Sequence, residues 1–508
     1  MPLNPMPQRR LFAHPARSFH FGLAIYIVGF FLLRTMLSST IGVDDVEQMI
    51  YAQDWRWGYN PSQPPFYTWL VLAATKIAEG SAVAPQLVRY GILYLTFVFM
   101  YACARRIVRD PDLQVLAAFA PVLIYFVGWG AHQGFTHTAL VGATTTATLW
   151  AVFRVIERGS WDDYLILGVA LGLGLQSKYN FGMLMAALLL AVGTDRAARS
   201  RILAPRMALA VAIGIAMLAP SIAWLLKGHD LSGVLGSYVT YKPGGGDGGG
   251  AGRLPALWSI LRSSASFIAS FLVAAVLLFP QALRRLPGGG DAREPDCGRL
   301  LGRFVIMFYA VLALGALIGL LEHVKIRWTY PVLILFPLYY LYRAERIGVT
   351  TRQIAWLRTV LIGFVSLTAV LWFLQPAFNG MLCGRCRLLE PYPALAEAIA
   401  VDSGFSEGTI FAADEHIAGN FRARFAAASV IALPYPFYVP PASGSGACLL
   451  VWNAKNGEAV PARLAKLVRT VAGISVAGGQ EVRFAEGVNR ANDRTLRLAY
   501  TSLKPCAG

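Results

Sequence analysis

Charge is scarce in this 508-residue chain: 14% of positions are Asp, Glu, Lys or Arg, against 56% hydrophobic, and the mean hydropathy is +0.51. Ordinary soluble domains need more charge to keep their surfaces wet, so an assembly of such domains is excluded. Acid is scarcer than base, with 28 Asp and Glu against 45 Lys and Arg and a net charge of +17. The basic residues fall in short groups between apolar runs of membrane-spanning length, so the excess reads as topology rather than nucleic-acid affinity. Six Cys are too few to build a disulfide scaffold. Gly and Pro, at 49 and 28 residues, are compatible with kinked membrane helices.

What the chain has in quantity is long apolar runs. The first, 19–37, has no clear small-residue cleavage site after it and is expected to stay as a transmembrane helix. Further runs at 88–105, 113–130, 136–153, 164–177, 179–194, 207–226, 263–281, 303–321, 328–342 and 355–375 give about 11 transmembrane helices. Arginine tests the count. Arg9, Arg10 and Arg17 precede the first run, Arg105, Arg106 and Arg109 follow the second, and Arg154 and Arg158 follow the fourth. Arg196, Arg199, Arg201 and Arg206 follow the sixth, Arg284, Arg285, Arg293 and Arg299 the eighth, and Arg343, Arg346 and Arg352 the tenth. Every second connection is therefore arginine-rich, which places the amino terminus in the cytoplasm and the region after the last run outside.

The composition changes after about Pro376 and divides the chain into a membrane part, 1–375, and a small soluble domain, 376–508. Strand-like runs at 408–412, 429–433 and 448–452, a helical pattern over 461–471 and late strands within 482–500 predict an α/β domain. It holds Cys383, Cys386, Cys448 and Cys506. An oxidising compartment favours a structural disulfide for the Cys383 and Cys386 pair, with a redox pair or half a metal site as alternatives. Cys103 and Cys297 lie in or beside inner-face regions and are expected to be reduced.

Chemistry is expected in the outside connections. The first, 38–87, begins with GVDDVEQMIY and ends near paired prolines, with Trp55, Trp57, Tyr59 and Trp69 between. Such a mixture suggests short interfacial helices. Asp44 and Asp45 are the leading acid/base pair, since ionisable groups at a helix end near the interface need water, a partner or a substrate. A solvated helix cap is the plainer alternative. Lys178 interrupts an apolar region in GLGLQSKYN and suits an anionic phosphate, or else snorkels to the interface. Lys325 and Arg327, in EHVKIRWTYP, also suit a phosphate, while Trp328 and Tyr330 suit the headgroup zone; an ordinary aromatic belt with interfacial cations is the alternative.

His132 and His137 are five residues apart, a poor spacing for one helical face, so no zinc site is expected from them. His416, beside Asp414 and Glu415, is explained by a strand followed by a capped helix. Taken together, these residues permit an enzyme that transfers a lipid-phosphate-linked group at the outer face. A lipid-linked glycan transporter or flippase is the competing class, but residues 1–254 and 255–508 show no repeated motifs of the kind paired transporter halves carry.

The acidic pair with its later PP, GLGLQSKYN, and KIRWTYP before a late helix together resemble the polytopic GT-C glycosyltransferases. The similarity runs through about residues 20–375 and is strongest to the bacterial family-39 type, which includes protein O-mannosyltransferases and the aminoarabinose and galacturonic acid transferases of lipid A. The resemblance implies a GT-C fold and inverting transfer of a sugar from a polyprenyl-phosphate donor to a lipid, glycan or protein acceptor at the periplasmic face of the bacterial inner membrane, without cofactor or metal. It implies Asp44 as the catalytic aspartate, and Asp45, Gln63 and His137 as acceptor- or substrate-binding. Lys178, Lys325 and Arg327 are then the donor-phosphate site. Three positions depart from the pattern: Asp45 stands where Glu is common, Gln63 where a His often precedes Pro64 and Pro65, and His137 near a position often acidic in relatives.

Overall fold

The computed structural model of the protein describes residues 11–42, 44–228, 252–286, 296–321, 324–378, 381, 386–433, 438–441, 447–476, 480–490 and 492–503. The membrane part is helical. Its elements are α1 (Pro15–Leu37), α2 (Asp44–Tyr51), α3 (Phe66–Ile77), α4 (Ala84–Ile107), α5 (Pro111–Phe119), α6 (Ala131–Gly134), α7 (His137–Glu157), α8 (Trp161–Ser177) and α9 (Phe181–Gly193). Then come α10 (Arg196–Ile202), α11 (Met207–Gly228), α12 (Arg253–Leu278), α13 (Cys297–Leu317), α14 (Ile326–Leu333), α15 (Phe336–Ile347) and α16 (Thr351–Leu374). The exposed faces are apolar, as in Phe21, Ile25, Val28 and Leu32 of α1 and Ile362, Leu367, Val370 and Phe373 of α16. This is the pattern of a chain solvated by lipid.

Among the described residues seven helices are long and apolar enough to cross a membrane, or eight if a bent pair is one span. The expected count of about 11 spans is not confirmed at that length. All eleven runs are helical, but α8 has 17 residues and α9 has 13. At 1.5 Å per residue α9 is about 20 Å long, short of a bilayer core of about 30 Å. The run 328–342 is divided at Ile334 and Leu335 between α14 and α15, with Pro331 and Pro337 beside the break. The run 113–130 lies within the pair Pro111–Leu123 and Phe126–Gly134, bent by 77°. Gly128 permits that bend, because a Cβ there would lie 2.2 Å from the Val122 carbonyl oxygen.

The arginine-rich connections meet one another at one end of the helices. Arg106 pairs with Glu157, Arg303 with Asp195 at 2.7 Å, and Arg206 donates to the Gly159 carbonyl at 2.7 Å. The amides of Arg109 and Asp110 donate to Glu345, and that of Leu11 to Asp112. The alternation seen in the sequence is thus realised as a shared surface. Close helix packing is set by small residues: Cβ atoms on Gly168 and Gly172 would collide with the Ala210 backbone and with Met217 of α11.

The carboxyl-terminal region is an α/β domain, as expected. Strands β1 (Thr409–Ala412), β2 (Ser429–Ala432), β3 (Cys448–Asn453), β4 (Arg483–Val488) and β5 (Thr495–Leu503) form one sheet in the order β2-β1-β3-β5-β4. β1 pairs parallel with β2 and β3, and β5 runs antiparallel between β3 and β4. Alternate residues supply two cores, with Ile410, Val430, Leu449 and Val451 on one face and Phe411, Ile431, Leu450 and Trp452 on the other. The second core is covered by α19 (Ala462–Ala472) through Leu464 and Val468; the first includes residues of α17 (Tyr392–Ser403) and α18 (Glu415–Arg424).

Ile50, Tyr51 and Tyr59 of the first long loop belong to that first core. The loop and the domain are also stitched together by polar contacts. Gln53 donates to the Val430 carbonyl and accepts from its amide, both at 2.8 Å, and so completes the open edge of β2. Asn420 of α18 engages the backbone amide of Ile41 at 2.8 Å and its carbonyl at 3.0 Å. Tyr438 donates to Asp54 at 2.6 Å. α18 lies directly on α2, where a Cβ on Gly419 would sit 2.6 Å from the Val46 Cα. Because the obstacle is backbone, a side chain there must push the helices apart, at a cost of about 1–3 kcal/mol. Gly419→Val is therefore expected to make the 376–508 region more protease-sensitive with membrane abundance unchanged; proteolysis and immunoblotting of membranes check this.

Candidate active site

The chain leaves α1 through a turn fixed by Arg34, whose guanidinium is buried and donates to the carbonyls of Ser38 at 2.6 Å and Thr40 at 2.8 Å. Asn420 holds Ile41, and α2 starts at Asp44 with Asp44, Asp45 and Glu47 in its first turn. Acids there complement the positive end of the helix dipole. The two adjacent aspartates then part ways. Asp45 is 2% exposed and ion-paired with Arg89 of α4, itself 0% exposed. Asp44 is half-buried and meets Arg327 at 2.8 Å, across 283 residues of sequence.

Arg327 lies at the start of α14, its guanidinium 5.2 Å above the Phe135 ring. Lys325 is the residue capping that helix. Lys178 ends α8 in an extended conformation, and its ammonium donates to Thr138 Oγ1 at 3.3 Å. Burial lowers the Lys178 pKa to about 8; Arg327 and Lys325 lower it further while Asp44 opposes them. Burial and then Arg327 lower the Lys325 pKa as well. Four of the residues singled out in the sequence, Asp44, Lys178, Lys325 and Arg327, are therefore electrostatic neighbours brought together from three distant segments.

The others lie in the wall around them. His137 is buried at the start of α7; its Nδ1 donates to the Ser177 carbonyl at 3.0 Å, so its Nε2 is left to accept from Gln48 Nε2 at 3.4 Å. Thr68 donates to the same Gln48 at 2.7 Å. This relay ties α2 and α3 to the turn that carries Lys178. Among the described residues the buried Oε1 of Gln63 has no hydrogen-bond partner, and neither has the hydroxyl of Tyr67, a fully buried residue whose ring centre lies 5.4 Å from that of His137. His132 is also buried, with Tyr26 at 3.0 Å and Tyr90 at 3.1 Å on its two ring nitrogens. His416 lies 2.5 Å from Arg387 in the α/β domain. Cys386 and Cys448 are each disulfide-bonded, and Cys103 and Cys297 are free and buried; Cys383 lies outside the described residues.

Sequence reasoning missed Glu47, Gln48, Tyr67 and Arg89. Arg89 had a signal, since an arginine inside a spanning run needs a partner. Glu47 is half-buried and its carboxylate accepts from Tyr51 and Asn60, each at 3.1 Å. Burial pushes its pKa up to about 7, the two hydrogen bonds oppose this, and Asp44 and Glu415 add to it.

Residues 62–224 match the family described as dolichyl-phosphate-mannose-protein mannosyltransferase. The fold is similar to that of the crystal structure of ArnT from Cupriavidus metallidurans bound to undecaprenyl phosphate, with a TM-score of 0.61 over 95% of this chain and 98% of that one at 11% identity. The chain thus shares the fold of ArnT. Its full length is 28% identical to lipopolysaccharide core galacturonosyltransferase RgtB of Rhizobium johnstonii, over 94% of this chain and 96% of the relative. RgtA of the same organism is likewise 28% identical, over 95% of this chain and 96% of that relative.

The charge cluster makes a prediction that does not depend on any assigned role. Amine labelling of Lys178 should show a midpoint near pH 8, because only the deprotonated amine reacts. In Asp44→Asn the midpoint should fall, since the one carboxylate that favours the charged lysine is removed; mass spectrometry of labelled peptides across pH reads both values.

Proposed function

We propose that this protein transfers a galacturonosyl-type uronic acid from a polyprenyl-phosphate donor to the core region of lipopolysaccharide, with inversion, at the periplasmic face of the inner membrane. The observation that carries the reading is the meeting of Asp44 with Arg327 at 2.8 Å within the field of Lys178 and Lys325. A carboxylate among three cations suits a reaction in which an acceptor hydroxyl attacks and a phosphate departs. The two full-length relatives are named for galacturonosyl transfer to the lipopolysaccharide core, and the ArnT structure was obtained with undecaprenyl phosphate.

In this reading Lys178, Lys325 and Arg327 hold the donor phosphate and take up charge as its bond to the anomeric carbon breaks. Asp44 orients the acceptor and keeps Arg327 in place. Gln63 and Tyr67, whose buried polar atoms lack partners among the described residues, supply hydrogen bonds to the sugar. Asp45 and His137 act from the wall, through Arg89, Gln48 and the Lys178 turn, rather than by touching the acceptor. The arginine-rich end faces the cytoplasm with the amino terminus, and the α/β domain lies in the periplasm, where it braces the first loop.

Purified protein should release polyprenyl phosphate from polyprenyl-phosphate galacturonic acid only when core lipopolysaccharide is present. Asp44→Asn is expected to cut that turnover by at least about 100-fold with abundance retained. Lipopolysaccharide from cells lacking the protein should be lighter by hexuronic acid residues. Unchanged lipopolysaccharide, or full turnover by Asp44→Asn, would refute the reading.

A further inference from the structure

We propose that Glu47 takes the proton of the acceptor hydroxyl, leaving Asp44 to hold and orient Arg327; this rests on the transfer reading above. The Asp44 Oδ2 already accepts from the Arg327 guanidinium at 2.8 Å, so that oxygen is engaged with a cation. Glu47 lies three residues further along α2, close to one helical turn, and so on the same side as Asp44. Among the described residues no cation pairs with it.

The Glu47 carboxylate is held for the task by neutral donors. Tyr51 and the Asn60 amide both donate to Oε1, each at 3.1 Å, which leaves Oε2 without a partner among the described residues. Asn60 is itself fixed, because its Oδ1 accepts from the Ser62 amide at 2.9 Å and the Ser62 hydroxyl at 2.7 Å. Its NH2 group must then face Glu47. A base fixed by two donors on one oxygen, with the other oxygen open, is the geometry general-base catalysis asks for.

The electrostatic surroundings agree. On α2 Glu47 faces Asp44, and from α18 it feels Glu415; both are acids and both favour a bound proton. Arg89 of α4 is taken by Asp45, β2 brings only Ser429, Val430, Ile431 and Ala432, and α3 brings Tyr67. With burial as the leading cause, the Glu47 pKa is raised to about 7, near neutrality, where a carboxylate can both accept a proton in the transition state and be regenerated. The step balances. An acceptor oxygen lone pair forms the bond to the anomeric carbon, the carbon–oxygen bond to phosphate breaks and its electron pair leaves on polyprenyl phosphate, and the acceptor's proton passes to Glu47 Oε2.

The test uses the full-length protein in lipid, with polyprenyl-phosphate galacturonic acid and core lipopolysaccharide, and follows polyprenyl phosphate release against pH. For the wild type, kcat/KM should fall as pH drops below about 7, because Glu47 becomes protonated and cannot accept. Glu47→Gln keeps the hydrogen bonds from Tyr51 and Asn60 but cannot take a proton. It should lower kcat by about 10²–10⁴-fold, leave the donor KM unchanged and abolish the limb near pH 7. Glu47→Ala should regain turnover with added formate. A Glu47→Gln enzyme with wild-type kcat and an intact acid limb overturns the proposal while the transfer reading stands, and Glu47→Ala insensitive to formate overturns it equally. A wild-type protein that turns over none of this donor refutes the transfer reading and the proposal with it.

Discussion

The Asp44–Arg327 ion pair joins the first helix of the first loop to a helix that begins 283 residues later, and it does so beside two more cations. Lys178, Lys325 and Arg327 repel one another, and with no anion present burial adds a second penalty for each charge removed from water. Asp44 offsets both. A half-exposed pair of this kind contributes little to stability, about 0–1 kcal/mol, so its importance lies in placement. It keeps three cations in one region, and it ties the first long loop to the helix that begins at Ile326.

The arrangement around the pair serves its rigidity. Asp45 turns inward to Arg89 and anchors α2 to α4, where loss of either partner would strand a buried charge. The Thr68–Gln48–His137–Ser177 relay links α2 and α3 to the turn that presents Lys178. From the other side the α/β domain closes over the loop through Gln53 at its sheet edge, Asn420 on Ile41 and the aromatic contacts of Tyr51 and Tyr59. The boundary expected at about Pro376 is therefore a boundary in sequence more than in packing, because part of the domain's core is supplied by residues 50–59.

Several features were legible because they depend on local composition. Apolar runs, arginine alternation, the period-2 strands of the carboxyl-terminal domain and the intramembrane-flanking Lys178 all follow from what lipid or a sheet demands of neighbouring residues. The breaks within the runs were not legible, since run length does not reveal where Pro331, Pro337 or the Gly128 bend interrupts a helix. Nor were the separate duties of Asp44 and Asp45. Adjacent residues on a helix point about 100° apart, and which of them meets Arg89 and which Arg327 is fixed only when α4 and α14 are packed against α2.

By itself the sequence determined that the chain lives in a membrane, that its basic connections gather at one end, and that an acid, a lysine and a late basic pair stand at the opposite connections. The tertiary structure decided that these four charges meet, that His137 and Asp45 belong to the wall, and that Glu47 stands near Asp44 with neutral donors on one oxygen. The physical reason is range: hydropathy and helix ends are set by residues a few positions apart, whereas a charge's role depends on partners that only folding brings within a few ångströms.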